Sequence, residues 1–117
     1  MTPNEYQNQA SRTCLKDYET FKNIQSSHRH IIHAHLGLSS ETGEIGDAIK
    51  KHVIYGQPLD IANLLEECGD ILWYVSLMVS ACDSSLEQVM EMNIDKLRKR
   101  YPNNFTEELA AKRLDKQ

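Results

Sequence analysis

Apolar residues recur every three to four positions through most of this 117-residue chain, which is the period of an amphipathic helix. Capping residues mark where the predicted helices begin. Thr2, Pro3 and Glu5 form an N-cap, a first-turn proline and a capping-box acid, so a first helix is predicted from about residue 3 to the mid-twenties. A second helix is predicted over about 29–54.

The second half of the chain carries equally clear helix boundaries. Asp60 is an N-cap for a third helix that runs to about Cys82. The stretch DSS at 83–85 caps a fourth helix, which ends ahead of Pro102. Four main helices are therefore predicted.

No stretch alternates apolar and polar residues with the period of a β-strand, and no internal repeat is visible. We expect an all-α fold, a bundle of four main helices, in a single domain spanning 1–117. Its core should cover about 3–101, with a polar C-terminal tail at 102–117 that contains a short helical pattern.

The predicted third helix is apolar around most of its circumference, which requires cover on most sides. A chain of this length can hardly surround one of its own helices, so we expect part of the cover to come from a second subunit, in a homodimer or a dimer of dimers. The apolar positions on this helix are Ile61, Leu64, Leu65, Ile71, Leu72, Trp73, Val75, Leu77, Met78 and Val79.

The composition narrows the class of protein. A formal net charge of −4 argues against binding to a nucleic-acid polymer, which needs a basic surface. The three cysteines have no metal-type spacing, and we expect reduced thiols in a cytoplasmic protein. The polar start and the short apolar runs predict neither a signal peptide nor a membrane span.

Two stretches each carry a pair of acidic residues three positions apart. SSETGEIGDAIKK contains Glu41 and Glu44, and LLEECGDILWYV contains Glu67 and Asp70. Residues at i and i+3 project from one helix face, so each pair is a two-pronged oxygen ligand. If the two helices pack antiparallel, the four carboxylates can share one space.

Clustered carboxylates need protons or cations, because two of them about 6 Å apart repel by about 3 kcal/mol at an effective dielectric near 20. Oxygen ligands favour hard ions, so Mg²⁺ is the expected cofactor and Mn²⁺ a substitute. The alternative is that both pairs lie on solvated helix faces. Two features favour the metal: Glu67 and Asp70 lie on the least polar helix, and Gly43, Gly46 and Gly69 beside the acids suit close approach by a helix or a ligand.

The four acids resemble a known family signature. Glu41-x-x-Glu44, followed after 22 residues by Glu67-x-x-Asp70, is similar to the ExxE…ExxD signature of the all-α nucleoside triphosphate pyrophosphohydrolases, and most of all to the MazG-like branch. Three stretches are similar to the MazG-like pattern in the same order and cover roughly residues 36–102. They are GLSSETGEIGDAIKKH, LLEECGDILWYVSLM and MNIDKLRKRYP.

The resemblance implies a Mg²⁺-dependent enzyme that cleaves a nucleoside triphosphate between the α and β phosphorus atoms, giving a nucleoside monophosphate and pyrophosphate. Glu41, Glu44, Glu67 and Asp70 would hold the metal. Glu41 and Glu44 are also the preferred candidates for the general base that takes a proton from the attacking water. Asp47 extends the acid series and is a candidate for a further ligand.

Substrate contacts are expected on the fourth helix, where Asn93, Lys96 and Arg100 form one stripe at i, i+3 and i+7. In the family, the positions matching Asn93 and Lys96 look like substrate contacts, with Arg100 as a phosphate partner. The alternative is that basic residues near a helix C-terminus complement its dipole. Lys51, on the stripe of Glu44, could reach phosphate or neutralise a carboxylate.

The run HRHIIHAH suggests a zinc site, but none of its histidines has a partner cysteine. On a helix, His33 falls on the stripe that continues to Glu41 and Glu44. We take it as a candidate substrate contact, with a surface or interface histidine as the alternative. No glutamate is followed by a histidine three positions later, which argues against a ferritin-like di-iron site.

Three functions remain open at this point. The first is a nucleotide pyrophosphohydrolase of broad substrate range. The second is a member of the same superfamily dedicated to one substrate, such as dUTP, dCTP or a guanine nucleotide. The third, from another class, is a catalytically idle helical module that binds a nucleotide or a partner helix.

Overall fold

The computed structural model describes residues 1–16 and 26–116, with the side chains of 1–16 and 28–116. Within these residues the chain is helical and has no strand. The predicted all-α class is confirmed. The elements are α1 (Pro3–Ser11), α2 (Ser26–Val53), α3 (Ile61–Ala81), α4 (Leu86–Arg100), α5 (Glu107–Lys112) and a C-terminal 3-10 turn (Leu114–Lys116).

The predicted N-caps of three helices are confirmed. Thr2, Asp60 and Ser85 each accept, through a side-chain oxygen, a hydrogen bond from the backbone N–H three residues later, at 3.0–3.1 Å. Each bond satisfies a donor that has no partner inside the helix. These three residues set where α1, α3 and α4 begin.

The predicted length of the first helix is wrong in the part that the structure describes, because α1 ends at Ser11. At Thr13 the chain forms a tight turn and does not continue the helix. The backbone N–H and the hydroxyl of Thr13 both donate to the Ala10 carbonyl, at 3.1 and 2.9 Å. The same hydroxyl oxygen accepts a hydrogen bond from Trp73 Nε1 at 2.9 Å. A contact with α3 thus stabilises the turn. The rest of the predicted helix, 17–25, lies outside the described residues.

The centre of the fold is the antiparallel pair α2 and α3, which are in close contact at Gly37. A Cβ built on Gly37 would collide with the ring of Tyr74, so only glycine allows this approach. The ring also lies edge-on to His33 and to Trp73, at centroid distances of 5.8 and 4.9 Å. Tyr74 is therefore held between α2 and its own helix.

The expectation that a neighbouring helix approaches the glycines beside the acids is wrong within the described chain. A Cβ on Gly43, Gly46 or Gly69 would meet no atom within 4 Å, because all three lie on exposed faces. The close approach occurs at Gly37, one helical turn before Glu41.

The Gln7 side chain attaches helix α1 to the end of α3, to the turn that follows and to the start of α4. Gln7 Nε2 donates to Ser80 Oγ at 2.8 Å and to the Ser84 carbonyl at 3.0 Å, and Gln7 Oε1 accepts from the Leu86 backbone N–H at 2.9 Å. Helix α4 then packs against α1, α3, α5 and the C-terminal 3-10 turn.

The buried core is small for the length of the chain. Among the described residues, the buried hydrophobic side chains are those of Ala34, Leu77, Val79 and Leu86. No helix in the described part of the chain is both long and apolar enough to cross a membrane.

Parts of the apolar surface of α2 and α3 are exposed. On α2, Ile49 and Val53 are 46% and 68% exposed. On α3, Ile61, Leu65 and Leu72 are 56%, 67% and 44% exposed, and they lie on one stripe.

We predict that Gly37→Ala destabilises the protein. Overpacking against the Tyr74 ring costs about 1–3 kcal/mol, which exceeds the gain of about 1 kcal/mol from replacing a helical glycine by alanine. Urea unfolding at a fixed protein concentration measures the change. The matched control is Gly46→Ala in the same helix, where the Cβ meets open space and the free energy of unfolding should rise. A stabilising Gly37→Ala would contradict the proposed contact.

Candidate metal centre

Three carboxylates from two helices meet on the face where α2 packs against α3. Glu41 projects from α2, and Glu67 and Asp70 project from α3, with one carboxylate oxygen of each lying within 4.8 Å of the others. Glu41 lies one turn after Gly37 on α2, and Asp70 one turn before Tyr74 on α3. The close approach of the helices therefore brings these acids to one point.

Burial makes this cluster different from an acidic patch on a surface. Glu67 is only 7% exposed. The Oε2 atoms of Glu41 and Glu67 are both buried, and neither has a hydrogen-bond partner as long as both carboxyl groups are ionised. A buried carboxylate oxygen without a donor is unfavourable, so the cluster needs a proton or a cation.

The neighbouring acids raise the pKa of Glu67 to about 7. The main cause is a hydrogen bond shared with Glu41, which requires a proton between the two carboxyl groups; burial of Glu67 and the nearby carboxylate of Glu44 add to it. The exposed Glu44 thus lies within reach of Glu67, although it is not one of the three acids that converge most closely.

The residues present fit a divalent cation. A cation of this kind would satisfy both buried oxygens and remove the repulsion that otherwise keeps Glu67 protonated. The converging donors are all carboxylate oxygens, which suit hard ions such as Mg²⁺ or Mn²⁺.

A cleft of about 340 Å³ opens beside the acids and is lined by Glu41, Asp70, Trp73 and Tyr74. Helix α1 also reaches this region, with Tyr6 near Asp70. Burial and the charge of Asp70 together raise the pKa of the Tyr6 hydroxyl. The cleft combines two acids with two aromatic rings.

The structure places His33 behind the cleft. Its ring meets the Tyr74 ring edge-on at 5.8 Å, and Tyr74 lines the cleft itself. His33 can therefore act on a ligand in the cleft through the orientation of Tyr74.

Lys51 lies farther along α2, about 10 Å beyond Glu44 at 1.5 Å per residue. Its ammonium group pairs with Asp47 at 3.1 Å on an exposed surface. Both side chains line a polar cavity of about 320 Å³ with the segment that leads into α3. The structure does not bring Lys51 into the acidic cluster.

The stripe on α4 is also separate from the acids in the described contacts. Asn93 is exposed and Lys96 is half-buried. The Arg100 guanidinium forms an ion pair with Asp115 of the C-terminal 3-10 turn. Their hydrogen bond is the main cause that raises the pKa of Arg100 and lowers that of Asp115. Arg100 must exchange this partner before it can bind a phosphate.

The sequence also matches the profile of a protein family. The profile of the MazG nucleotide pyrophosphohydrolase domain matches residues 18–105, which include all four acids and the stripe on α4. The chain belongs to the MazG family. The resemblance noted in the sequence is thereby confirmed.

A phage protein is among the relatives of this MazG-family chain. The Gene 37 protein of Mycobacterium phage L5 is 35% identical over 71 residues, which are 56% of this chain and 60% of the phage protein. The match thus spans less than two thirds of that relative. No solved structure matches the chain.

Sequence reasoning missed the contribution of α1 to this region. Tyr6 and Thr13 reach α3 from a part of the chain without acidic or glycine-rich motifs, so no local pattern marks them. Trp73 and Tyr74, by contrast, are visible from the sequence as rings that could stack a base, because they lie one turn after Asp70 on the same helix face.

We predict that Glu67→Gln stabilises the metal-free protein at pH 8 more than at pH 5. The pKa of Glu67 is raised in the folded state, so its protonated form favours folding at low pH, and this contribution is lost as the pH rises through about 7. Glutamine is uncharged at every pH, so the variant does not lose this contribution to stability as the pH rises. Thermal unfolding in excess chelator measures the difference. The control is Glu66→Gln, an exposed neighbour; equal pH dependence of the two variants would refute the burial argument.

Proposed function

We propose that this MazG-family chain is a Mg²⁺-dependent nucleoside triphosphate pyrophosphohydrolase that cleaves a ribo- or deoxyribonucleoside triphosphate at the α–β bond. The observation that carries the proposal is the pair of buried, unpartnered oxygens on Glu41 and Glu67, from two different helices. Such a site is costly to build unless a cation completes it. Family membership supplies the reaction class.

The four acids share one role in this proposal, and Glu41 and Glu44 are candidates for a second. Glu41, Glu44, Glu67 and Asp70 would hold Mg²⁺, which supplies charge neutralisation of the triphosphate and a lowered pKa for a bound water. Glu41 or Glu44 takes the proton of the attacking water. The new bond joins the water oxygen to the α-phosphorus while the bond from the α-phosphorus to the bridging oxygen breaks, and pyrophosphate leaves with that oxygen.

Substrate contacts outside the acidic cluster remain part of the proposal. We assign Asn93, Lys96 and Arg100 on α4, and Lys51 on α2, to contacts with the substrate, and His33 to the support of Tyr74, which lines the cleft. Lys96 is half-buried, as suits a cation that faces a binding site. For Arg100, substrate phosphate competes with Asp115.

We also propose a homo-oligomer, a dimer or a dimer of dimers. The radius of gyration is 17.8 Å, whereas a compact chain of this length has about 13 Å. The accessible surface is 8669 Å², against about 6,500 Å² expected from the mass. A second copy packed on the exposed stripe of Ile61, Leu65 and Leu72 would cover this excess surface.

Two other functions stay as alternatives. A dedicated substrate would show as turnover of one triphosphate far above all others. A catalytically idle binding module would release no pyrophosphate from any nucleotide. The buried acids favour an active site, because a purely structural helix pair would be more stable without them.

We predict Mg²⁺-dependent release of pyrophosphate that chelator abolishes, and the loss of this turnover in Glu44→Gln and Asp70→Asn. Removing a metal ligand or the general base should lower kcat/KM by at least about a hundredfold. The assay follows pyrophosphate across all canonical triphosphates, with circular dichroism to confirm folding. The exposed Glu66→Gln is the control and should keep its activity. Full activity in Glu44→Gln or Asp70→Asn would refute the site.

We predict that sedimentation equilibrium gives a mass of two or four times 13.4 kDa. Leu65→Asp, at the exposed centre of the apolar stripe, should shift the protein toward the monomer because it places a charge in the interface. Lys99→Asp on the solvated side of α4 is the control. A monomeric wild-type protein would contradict the oligomer.

A further inference from the structure

The C-terminal segment of the chain, α5 together with the 3-10 turn, packs back against α4. Arg113 connects the two elements in a left-handed conformation, with φ at 48°, and its backbone N–H donates to the Leu109 carbonyl at 3.3 Å. A left-handed backbone is unfavourable for arginine, so this connection needs stabilising contacts beside it. Asp115, two residues later, makes such a contact.

Asp115 is bound by Arg100 of α4. Nε of Arg100 donates to one carboxylate oxygen of Asp115, and Nη2 donates to the other at 3.3 Å. The side chains of Arg100 and Asp115 are only 19% and 6% exposed. By contrast, the Lys112–Glu108 ion pair on α5 joins side chains that are 52% and 78% exposed. The Arg100–Asp115 pair is therefore shielded from water, and this shielding strengthens a charge-assisted hydrogen bond.

The Asp115 carboxylate offers Arg100 the same chemistry as a phosphate group. A guanidinium group donates two parallel hydrogen bonds to a carboxylate or to a phosphate with the same geometry. Arg100 lies on the stripe of α4 with Asn93 and Lys96, which the proposed function assigns to the substrate. Because Asp115 belongs to the same chain, its effective concentration at Arg100 is high. A substrate phosphate and Asp115 therefore compete for the same donors.

Few other contacts fix the C-terminal segment to α4. Helix α5 has only six residues, and neither it nor the 3-10 turn contains a buried apolar residue. Phe105, just before α5, lies with its ring 5.1 Å from the ring of Tyr101 at the end of α4, but it is 66% exposed. Segments with few buried contacts open locally at a low cost in free energy. The segment can therefore leave α4 while the rest of the chain stays folded.

We propose that the C-terminal segment inhibits the substrate site, with the Asp115 carboxylate bound to Arg100 in place of a substrate phosphate. The inference rests on the proposed function and adds a means of regulation to it. A triphosphate has to displace Asp115 before it binds Arg100, and the segment then leaves α4. The apparent affinity for the substrate is lowered in proportion to the fraction of molecules in which Arg100 is available.

Asp115→Asn tests this competition in turnover, because asparagine keeps the size of the side chain and removes its charge. KM for a triphosphate should fall by at least about tenfold, the contribution of one charge-assisted hydrogen bond, with little change in kcat. Glu108→Gln is the control: it removes a carboxylate from the same segment and changes the net charge equally, but this carboxylate pairs with the exposed Lys112. Its KM should equal that of the wild type. An unchanged or higher KM in a folded Asp115→Asn would overturn the inference.

A double-mutant cycle shows whether Asp115 acts on the substrate through Arg100. Arg100→Gln alone should raise KM, because it removes a phosphate contact. Adding Asp115→Asn to Arg100→Gln should then leave KM unchanged, because no guanidinium group remains to compete for. An equal fall in KM with and without Arg100 would contradict the competition.

Release of the segment can be followed in the wild-type protein without turnover. Trypsin cleaves after Arg113 when the segment opens, so the rate of this cleavage, measured by mass spectrometry, reports on its release. A triphosphate whose α–β bridging oxygen is replaced by a methylene group, added with Mg²⁺, should accelerate the cleavage severalfold. The corresponding nucleoside, which has no phosphate, should not. A rate that the analogue leaves unchanged would overturn the inference, and this measurement decides if Asp115→Asn does not fold.

The two proposals fail in different ways. Pyrophosphate release together with an unchanged KM in Asp115→Asn leaves the hydrolase in place and removes the competition at Arg100. Faster cleavage after Arg113 with the analogue, but no pyrophosphate release from any triphosphate, supports the competition and removes the hydrolase.

Discussion

The close approach of α2 and α3 at Gly37 determines where the acids of this protein lie. With the Tyr74 ring against the bare Cα of Gly37, the two antiparallel helices have one register. One turn away from this contact on each helix stand Glu41 and Asp70, and the same register brings Glu67 to them. A shift of either helix would separate the carboxylates, so the proposed metal site depends on a contact that involves none of its proposed ligands.

This register also creates an unfavourable interaction that a cation would relieve. Glu67 is buried next to a second glutamate, Glu41, and the Oε2 atoms of both are buried without a partner. Without metal, the cluster holds a proton, which is why the pKa of Glu67 is raised to about 7. A divalent cation bound here would compete with that proton, so binding of metal and folding of the helix pair would be coupled.

Much of this arrangement follows from local sequence, and the rest depends on contacts between distant segments. Thr2, Asp60 and Ser85 could be identified as N-caps because capping needs only a side-chain oxygen and the next turn. The two pairs of acids could also be predicted from local sequence, because residues three positions apart project from one helix face. By contrast, nothing near Thr13 indicates that α1 ends there, since the turn is stabilised by Trp73, sixty residues away. Gly37 has no acidic neighbour within three residues, and its role becomes visible only when Tyr74 is placed against it.

The central claim is that Glu41, Glu67 and Asp70 together bind one or more divalent cations. Anomalous diffraction from crystals soaked in Mn²⁺ tests it most directly, because the signal locates the ion independently of any activity. We expect an anomalous peak within coordination distance of oxygens from both helices, with Glu41 on one side and Glu67 and Asp70 on the other. An ordered cluster with no peak between these side chains at saturating Mn²⁺ would contradict it.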